Sequence, residues 1–339
     1  MIKKLAFILL FLCVIAVAGF MWAQQQVNYY LHSPRVTETQ LFTLQDGSYF
    51  SHLGPQLVEQ GLLDNTTWWK VVSKLKPELT KIKSGTYQLP QGASLADILI
   101  ILNSGREYEY KITFVEGSTY KDWLAVFTSA ENLMPLDMPE QGTLDAQEKE
   151  ILAKLDSPYQ KLEGLLFPET YHYTVGMSSF SIVKKAYLHQ QAILNKLWAE
   201  RDKNLPYKTP YEALIMASII EKESGLANDR DKISSVFVNR LRIGMRLQTD
   251  PTVIYGMGER YNGRIRSKDL RENTPYNTYT INGLPPTPIA MPSEEALYAA
   301  LHPAQTKYLY FVSKGDGTSY FSKSLKEHNN AVNKYIRGK

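Results

Sequence analysis

The distribution of apolar positions divides the chain into a continuous run, a polar gap and a long alternating remainder. From Leu5 to Ala23 no residue is charged and nearly all are apolar, so the run is long enough to cross a bilayer as a helix. Gln24 to Glu38 is polar and reads as a short tether. Short elements follow: a strand at Leu41–Leu44, a turn at Asp46-Gly47, and a helix capped by Ser48 that reaches Leu62, with Leu53, Leu57 and Val58 inward. A helix over Trp68–Leu75, a strand over Gly85–Leu89 and a Ser94-capped helix over Leu95–Leu102 before Gly105 come next. Lys111–Val115 is again a strand, followed by Gly117-Ser118 and a helix through Trp123 and Phe127. Strand, glycine, Ser or Thr, then helix recurs three times, which marks small α+β units rather than a solenoid.

Met134–Gln160 is acidic and contains proline, and reads as irregular chain or short helices. Helical spacing returns in Ser179–Arg201, with Ile182, Ala186, Ile193, Leu194 and Leu197 on one side, and in the helix beginning at Asn228 or Asp229, with Ile233, Val236, Phe237 and Leu241. Gly244 ends the latter. The chain closes with a hairpin, Tyr308–Val312 against Ser319–Phe321, and an amphipathic helix. The fold class is α+β.

Between the two spaced helices lies Pro210–Ser224. Thr209 stands at the N-cap, Pro210 at the first helical position and Glu212 three residues after the cap. Ala213–Ile220 is apolar on nearly every face, so the helix is buried, with Gly225 as its stop. Two acids, Glu221 and Glu223, leave the core in the last turn. At about 100° per residue they point to nearly opposite sides. Glu223 continues the face of Met216, Ile219 and Ile220, and Glu221 that of Leu214 and Ala217. An apolar setting and the negative end of the helix dipole both favour a neutral carboxyl, the form that protonates the leaving oxygen of a glycosidic bond. A lone Glu-x-Glu is more often a solubilising helix end, and the context decides.

That context is a set of motifs. Ile219-Ile-Glu-Lys-Glu-Ser224, Ser235-Val-Phe-Val-Asn-Arg-Leu241, Gly244 to Gly256, Tyr276-Asn-Thr-Tyr279, Gly283-Leu-Pro-Pro286 and Glu163 to Tyr171 resemble the endolytic murein transglycosylases of the YceG-like kind, and the likeness runs from the apolar run to the C-terminus. The resemblance implies that Glu223 is the catalytic acid and that Ser224 follows it as in lysozyme-like transglycosylases. It implies cleavage of peptidoglycan between N-acetylmuramic acid and N-acetylglucosamine, near the site of strand synthesis, with membrane-bound synthases as partners and no cofactor. It further implies four parts: a transmembrane anchor over residues 1–23, the tether over 24–40, a LysM-like module over 41–107 and a catalytic domain over 108–339.

Composition narrows the rest. A formal net charge of +4 in 339 residues, with no stripe of basic and aromatic residues, argues against nucleic acid as a partner. The one cysteine, Cys13, lies in the apolar run, so no intramolecular disulfide forms. The six histidines show no metal-binding spacing, and no metal is expected. Lys3-Lys4 before the run predicts an inner-membrane protein with a cytoplasmic N-terminus and the remainder outside, with cleavage after Ala16-Val-Ala18 as the rival reading. Substrate-binding candidates are the hydroxyl, amide and acid groups of Ser224, Gln248, Thr249, Asp250, Tyr276 and Asn277, together with Glu163 and the ring of Tyr171. Arg240, Arg242 and Arg246 are candidates for holding substrate carboxylates. Two rival classes remain: a muramidase with a second carboxylate from Glu163, Glu169 or Asp250, and a non-catalytic glycan-binding adaptor.

Overall fold

The computed structural model describes residues 2–136, 142–223 and 229–338, and they form a mixed fold of helices with three two-stranded sheets. The chain divides into two compact units, Met1–Tyr110 and Lys111–Lys339.

The first unit opens with helix α1 (Ile2–His32). Its stretch Ala6–His32 is 27 residues long and apolar enough to cross a membrane. Phe7 to Trp22 carry their large apolar side chains fully outward, as lipid contact requires. The helix does not stop at Ala23. It runs on through the segment expected to be a tether, and Val27, Tyr30 and Leu31 are buried in the core of the unit. The i, i+3, i+4 spacing of these three residues gives the polar stretch one apolar edge, which is enough to keep it helical once a core covers that edge.

Strand β1 (Gln40–Leu44) pairs antiparallel with β2 (Gly85–Leu89), and Phe42 faces Tyr87 across the ladder. Helices α2 (Phe50–Glu59) and α3 (Trp69–Leu75) lie between these strands in sequence, and α4 (Leu95–Ser104) follows. The Ser94–Asp97 capping box and the left-handed Gly105 bound α4 where the sequence predicts. Helix α2 begins at Phe50 behind an extended Tyr49 rather than at a Ser48 cap.

The second unit pairs β3 (Tyr110–Thr113) with β4 (Thr170–Tyr173), and the Thr113 and Thr170 hydroxyls meet at 2.8 Å. Helix α5 (Tyr120–Ser129) starts at a Thr119–Asp122 capping box, and α6 (Leu144–Lys154) forms in the acidic stretch. Then come α7 (Ser179–Glu200), α8 (Pro210–Glu223), α9 (Arg230–Arg242), α10 (Asp250–Met257) and α11 (Glu294–Leu301). The hairpin β5 (Tyr310–Ser313) and β6 (Ser319–Ser322) and helix α12 (Leu325–Tyr335) close the chain. Helix α8 is the axis of this unit. Every residue from Ala213 to Ile220 is buried, and α7, α9, α10 and α11 pack against it. A helix apolar all round is stable only inside such a ring.

Candidate active site

Because α8 is walled in along its length, only its ends meet solvent or loops. At the start, the Glu212 amide donates to Thr209 Oγ1 at 3.2 Å, while the Glu212 carboxylate takes the amide of Lys208. At the other end the two acids diverge as the helical period requires, and their surroundings differ in kind.

Glu221 is enclosed. Arg230 donates to its Oε1 at 3.1 Å, and Ser293 donates to its Oε2 through both backbone amide, at 2.9 Å, and hydroxyl. Ser293 is also the N-cap of α11, so Glu221 ties the end of α8 to the beginning of α9 and of α11.

Glu223 emerges on the other side, partly exposed. The Thr249 hydroxyl donates to Glu223 Oε1. Thr249 is itself held: its amide donates to Thr278 Oγ1 at 3.0 Å, and its carbonyl accepts from Thr252 Oγ1 at 2.8 Å. The Thr252 and Thr278 hydroxyls meet at 2.9 Å. A buried ladder of threonine hydroxyls therefore fixes the group that addresses Glu223. Burial raises the Glu223 carboxyl above its ordinary pKa. The Thr249 hydrogen bond opposes this, the nearby Asp250 charge adds to it and Arg240 opposes it. The balance is upward, toward a protonated acid.

Gln248 sits beside this contact with φ of 50°, a left-handed conformation that a non-glycine residue rarely adopts, and its side chain is exposed. Asp250, exposed at the first position of α10, accepts a hydrogen bond from the Tyr279 hydroxyl at 2.6 Å. Glu223, Thr249, Asp250, Gln248 and Tyr279 thus form one cluster. Tyr279 is the member that the sequence did not single out. It is the second tyrosine of Tyr276-Asn-Thr-Tyr279, and only the meeting of that loop with α10 sets it apart from the first.

The remaining candidates have other surroundings. Asn277 is buried: its Nδ2 donates to the carbonyls of Asp269 and Glu272 at 3.1 and 2.6 Å, and its Oδ1 accepts from the Tyr279 amide at 3.0 Å. Its amide braces a loop instead of offering hydrogen bonds to a ligand. Tyr171 is core, packed near Phe114, with its hydroxyl donating to the Phe167 carbonyl at 2.7 Å. Tyr276 bonds Thr287 at 2.8 Å and lies edge-on to Tyr255. Ser224 and the Gly225 stop lie outside the described residues. The three arginines are committed to backbone: Arg240 donates to the carbonyls of Leu309 and Leu247, both at 2.7 Å, Arg246 to that of Tyr279 at 2.9 Å and Arg242 to that of Asn204 at 3.2 Å.

Glu163 is buried at 4 % exposure. It accepts from the Tyr120 amide at 3.1 Å and lies 3.2 Å from the Tyr255 hydroxyl. Burial pushes its carboxyl up to about 8 against the partial opposition of those two bonds. Gly164 beside it has φ of 77°, and a Cβ there would lie 2.4 Å from Pro288, so only glycine allows this close approach.

Among the described residues, no group of three or more His, Cys, Asp or Glu side chains is arranged to hold a metal ion.

Comparison with known proteins gives a consistent result. The YceG-like family profile matches residues 42–334. An endolytic murein transglycosylase of Bacillus subtilis is 37 % identical over 276 residues, covering 76 % of this chain and 74 % of that protein. One from Streptococcus pneumoniae serotype 2 is 26 % identical over 332 residues, covering 87 % of this chain and 58 % of its own, longer length. The crystal structure of a YceG-like protein from Listeria monocytogenes superposes with a TM-score of 0.55 at 29 % identity, over 86 % of this chain and 98 % of that one. The profile match covers most of the chain and the likeness holds in sequence and in fold, so this chain belongs to the YceG-like family.

Proposed function

We propose that the protein is a peptidoglycan lytic transglycosylase, a lyase that cuts glycan strands between N-acetylmuramic acid and N-acetylglucosamine with Glu223 as its single acid and base. The observation that carries this reading is the Glu223 carboxyl itself, desolvated, raised and held by Thr249 at the open end of a buried helix. Membership in a family whose curated relatives are named endolytic murein transglycosylases supports the substrate.

Protonated Glu223 gives its proton to the glycosidic oxygen. The bond from the muramic anomeric carbon to that oxygen breaks, the electron pair leaves with the N-acetylglucosamine, and positive charge develops at the anomeric carbon. Glu223, now ionised, takes the proton of the muramic 6-hydroxyl as its oxygen closes on the anomeric carbon. One residue serves both steps because each leaves it in the state that the next requires. The nucleophile is already part of the substrate, so its effective concentration is high. Gln248, exposed beside Thr249, is the side-chain amide offered to the sugar and its acetamide.

The α1 helix serves as a single-pass anchor in the inner membrane, with Lys3 and Lys4 on the cytoplasmic side. The β1–α2–α3–β2 arrangement of the first unit serves as the LysM-like, glycan-gripping module. Cutting beside the membrane shortens nascent strands where synthases make them. The test is digestion of purified glycan strands in heavy-oxygen water. Every new end should be a 1,6-anhydro sugar, one water lighter than a reducing end and free of label. Labelled reducing ends as the main product would instead establish a muramidase.

A further inference from the structure

The transglycosylase reading leaves one requirement unassigned. Positive charge develops at the anomeric carbon while Glu223 is still losing its proton, so Glu223 cannot neutralise that charge at the moment it forms. Glycosidases commonly meet this need with a second, ionised carboxylate held apart from the protonated one.

We infer that Asp250 is this second group: a catalytic carboxylate, aimed by Tyr279, that stabilises the oxocarbenium-like charge and never bonds to the sugar. Asp250 directly follows Thr249, whose hydroxyl is bonded to Glu223, so the two carboxyls flank a single residue link. Unlike Glu221 and Glu163, Asp250 is exposed. It stands in the first turn of α10. The Tyr279 hydroxyl, 2.6 Å from Oδ1, fixes the carboxylate without neutralising it, since a phenol donates a hydrogen bond and carries no charge. The nearby cation, Arg240, is occupied by the carbonyls of Leu247 and Leu309 and does not form an ion pair with Asp250 in the described residues. Through the reaction Asp250 gains and loses no proton: the proton passes from Glu223 to the leaving oxygen, and the 6-hydroxyl proton returns to Glu223.

The inference rests on the transglycosylase reading, and a single assay on the full-length protein separates the two. Asp250→Asn keeps the shape and can still meet Tyr279 through its amide oxygen. It should lower kcat by the ~10²–10³-fold that removal of one electrostatic group costs, with KM within a few-fold and an unchanged melting temperature. It should also move the alkaline limb of the kcat profile to lower pH, because the Asp250 charge helps keep Glu223 protonated. Tyr279→Phe should lower kcat less, in the same direction, leaving the product unchanged. The inference is overturned if Asp250→Asn keeps wild-type kcat, if its whole effect is on KM, or if the alkaline limb stays in place. If the wild-type protein leaves labelled reducing ends, it is the transglycosylase reading that fails, whatever the variants do.

Discussion

Two carboxyls in this molecule, Glu163 and Glu223, are pushed upward mainly by the same cause, loss of water, and yet their surroundings suit opposite purposes. Glu163 is closed in by protein on every side that the structure describes. The Tyr120 amide reaches one oxygen, the Tyr255 hydroxyl the other, and Glu148 and Asp122 add like charge. Such an acid holds α5 and α10 together. Among the described residues, Glu223 takes the Thr249 hydroxyl and stays partly exposed. The raised pKa alone does not separate a structural acid from a catalytic one. The difference lies in how far each acid is closed off from solvent.

The largest expected effect tests this contrast directly. Glu223→Gln should cost at least the ~10²–10⁴-fold typical of one general acid–base role while leaving the melting temperature nearly unchanged. Glu163→Gln, which keeps an acceptor for the Tyr120 amide and gains a donor toward Tyr255, should remain within a few-fold of wild-type turnover. Equal losses in the two variants would erase the distinction.

Glu221 extends the comparison to the opposite face of the same helix turn. Glu221→Ala removes the nearer carboxylate from the largely buried Arg230 and uncaps the junction with Ser293. It should cost stability on the order of 3–5 kcal/mol, the penalty typical of a broken buried pair, read by chemical denaturation, with turnover per folded molecule largely kept. A loss of turnover without a loss of stability would move the catalytic role to the wrong acid.

A smaller effect concerns pH. In the unfolded chain Glu163 titrates near 4.5, and in the folded protein near 8. Between those values the folded state holds the extra proton, so stability contributed here falls as pH rises through the window and is fully present only below it. The melting temperature of the wild type should decline from about pH 5 to about pH 8 by this linkage, and Glu163→Gln should flatten that slope. An identical slope in the variant would show that the decline has another source.

The smallest is a refinement of Glu223. Thr249→Val removes a hydrogen bond that favours the ionised carboxylate, so the alkaline limb of kcat should shift to higher pH, opposite to the shift expected for Asp250→Asn. A shift to lower pH would mean that the hydroxyl acts mainly by accepting the Glu223 proton.

Helix α8 was legible because local chemistry and burial agree there: the Thr209 cap, the proline start and an apolar stretch too uniform for a surface helix. The divergence of Glu221 and Glu223 is likewise a consequence of helical period, readable from spacing alone. The Ser94 and Gly105 boundaries of α4 follow from capping and left-handed glycine geometry, which depend on a few neighbouring residues. By contrast, the extension of α1 through Gln24–His32 depended on three apolar residues, Val27, Tyr30 and Leu31, whose value appears only when a core accepts them.

Long-range meetings were beyond the sequence. Nothing in the spacing of Asp250 and Tyr279, or of Thr249 and Glu223, announces that they touch, because loop and helix directions set those contacts. Nor does residue type tell whether an amide or a ring faces a ligand. Asn277 and Tyr171 have the chemistry of sugar contacts, and their polar atoms are taken by backbone carbonyls and, at Asn277 Oδ1, a backbone amide. The sequence by itself determined the membrane-length helix, the α+β class, the buried α8 and the acid at its end, all of which follow from local periodicity and side-chain chemistry. Tertiary structure alone decided which acids are closed and which open, because burial and hydrogen-bond partners belong to the packing of distant elements.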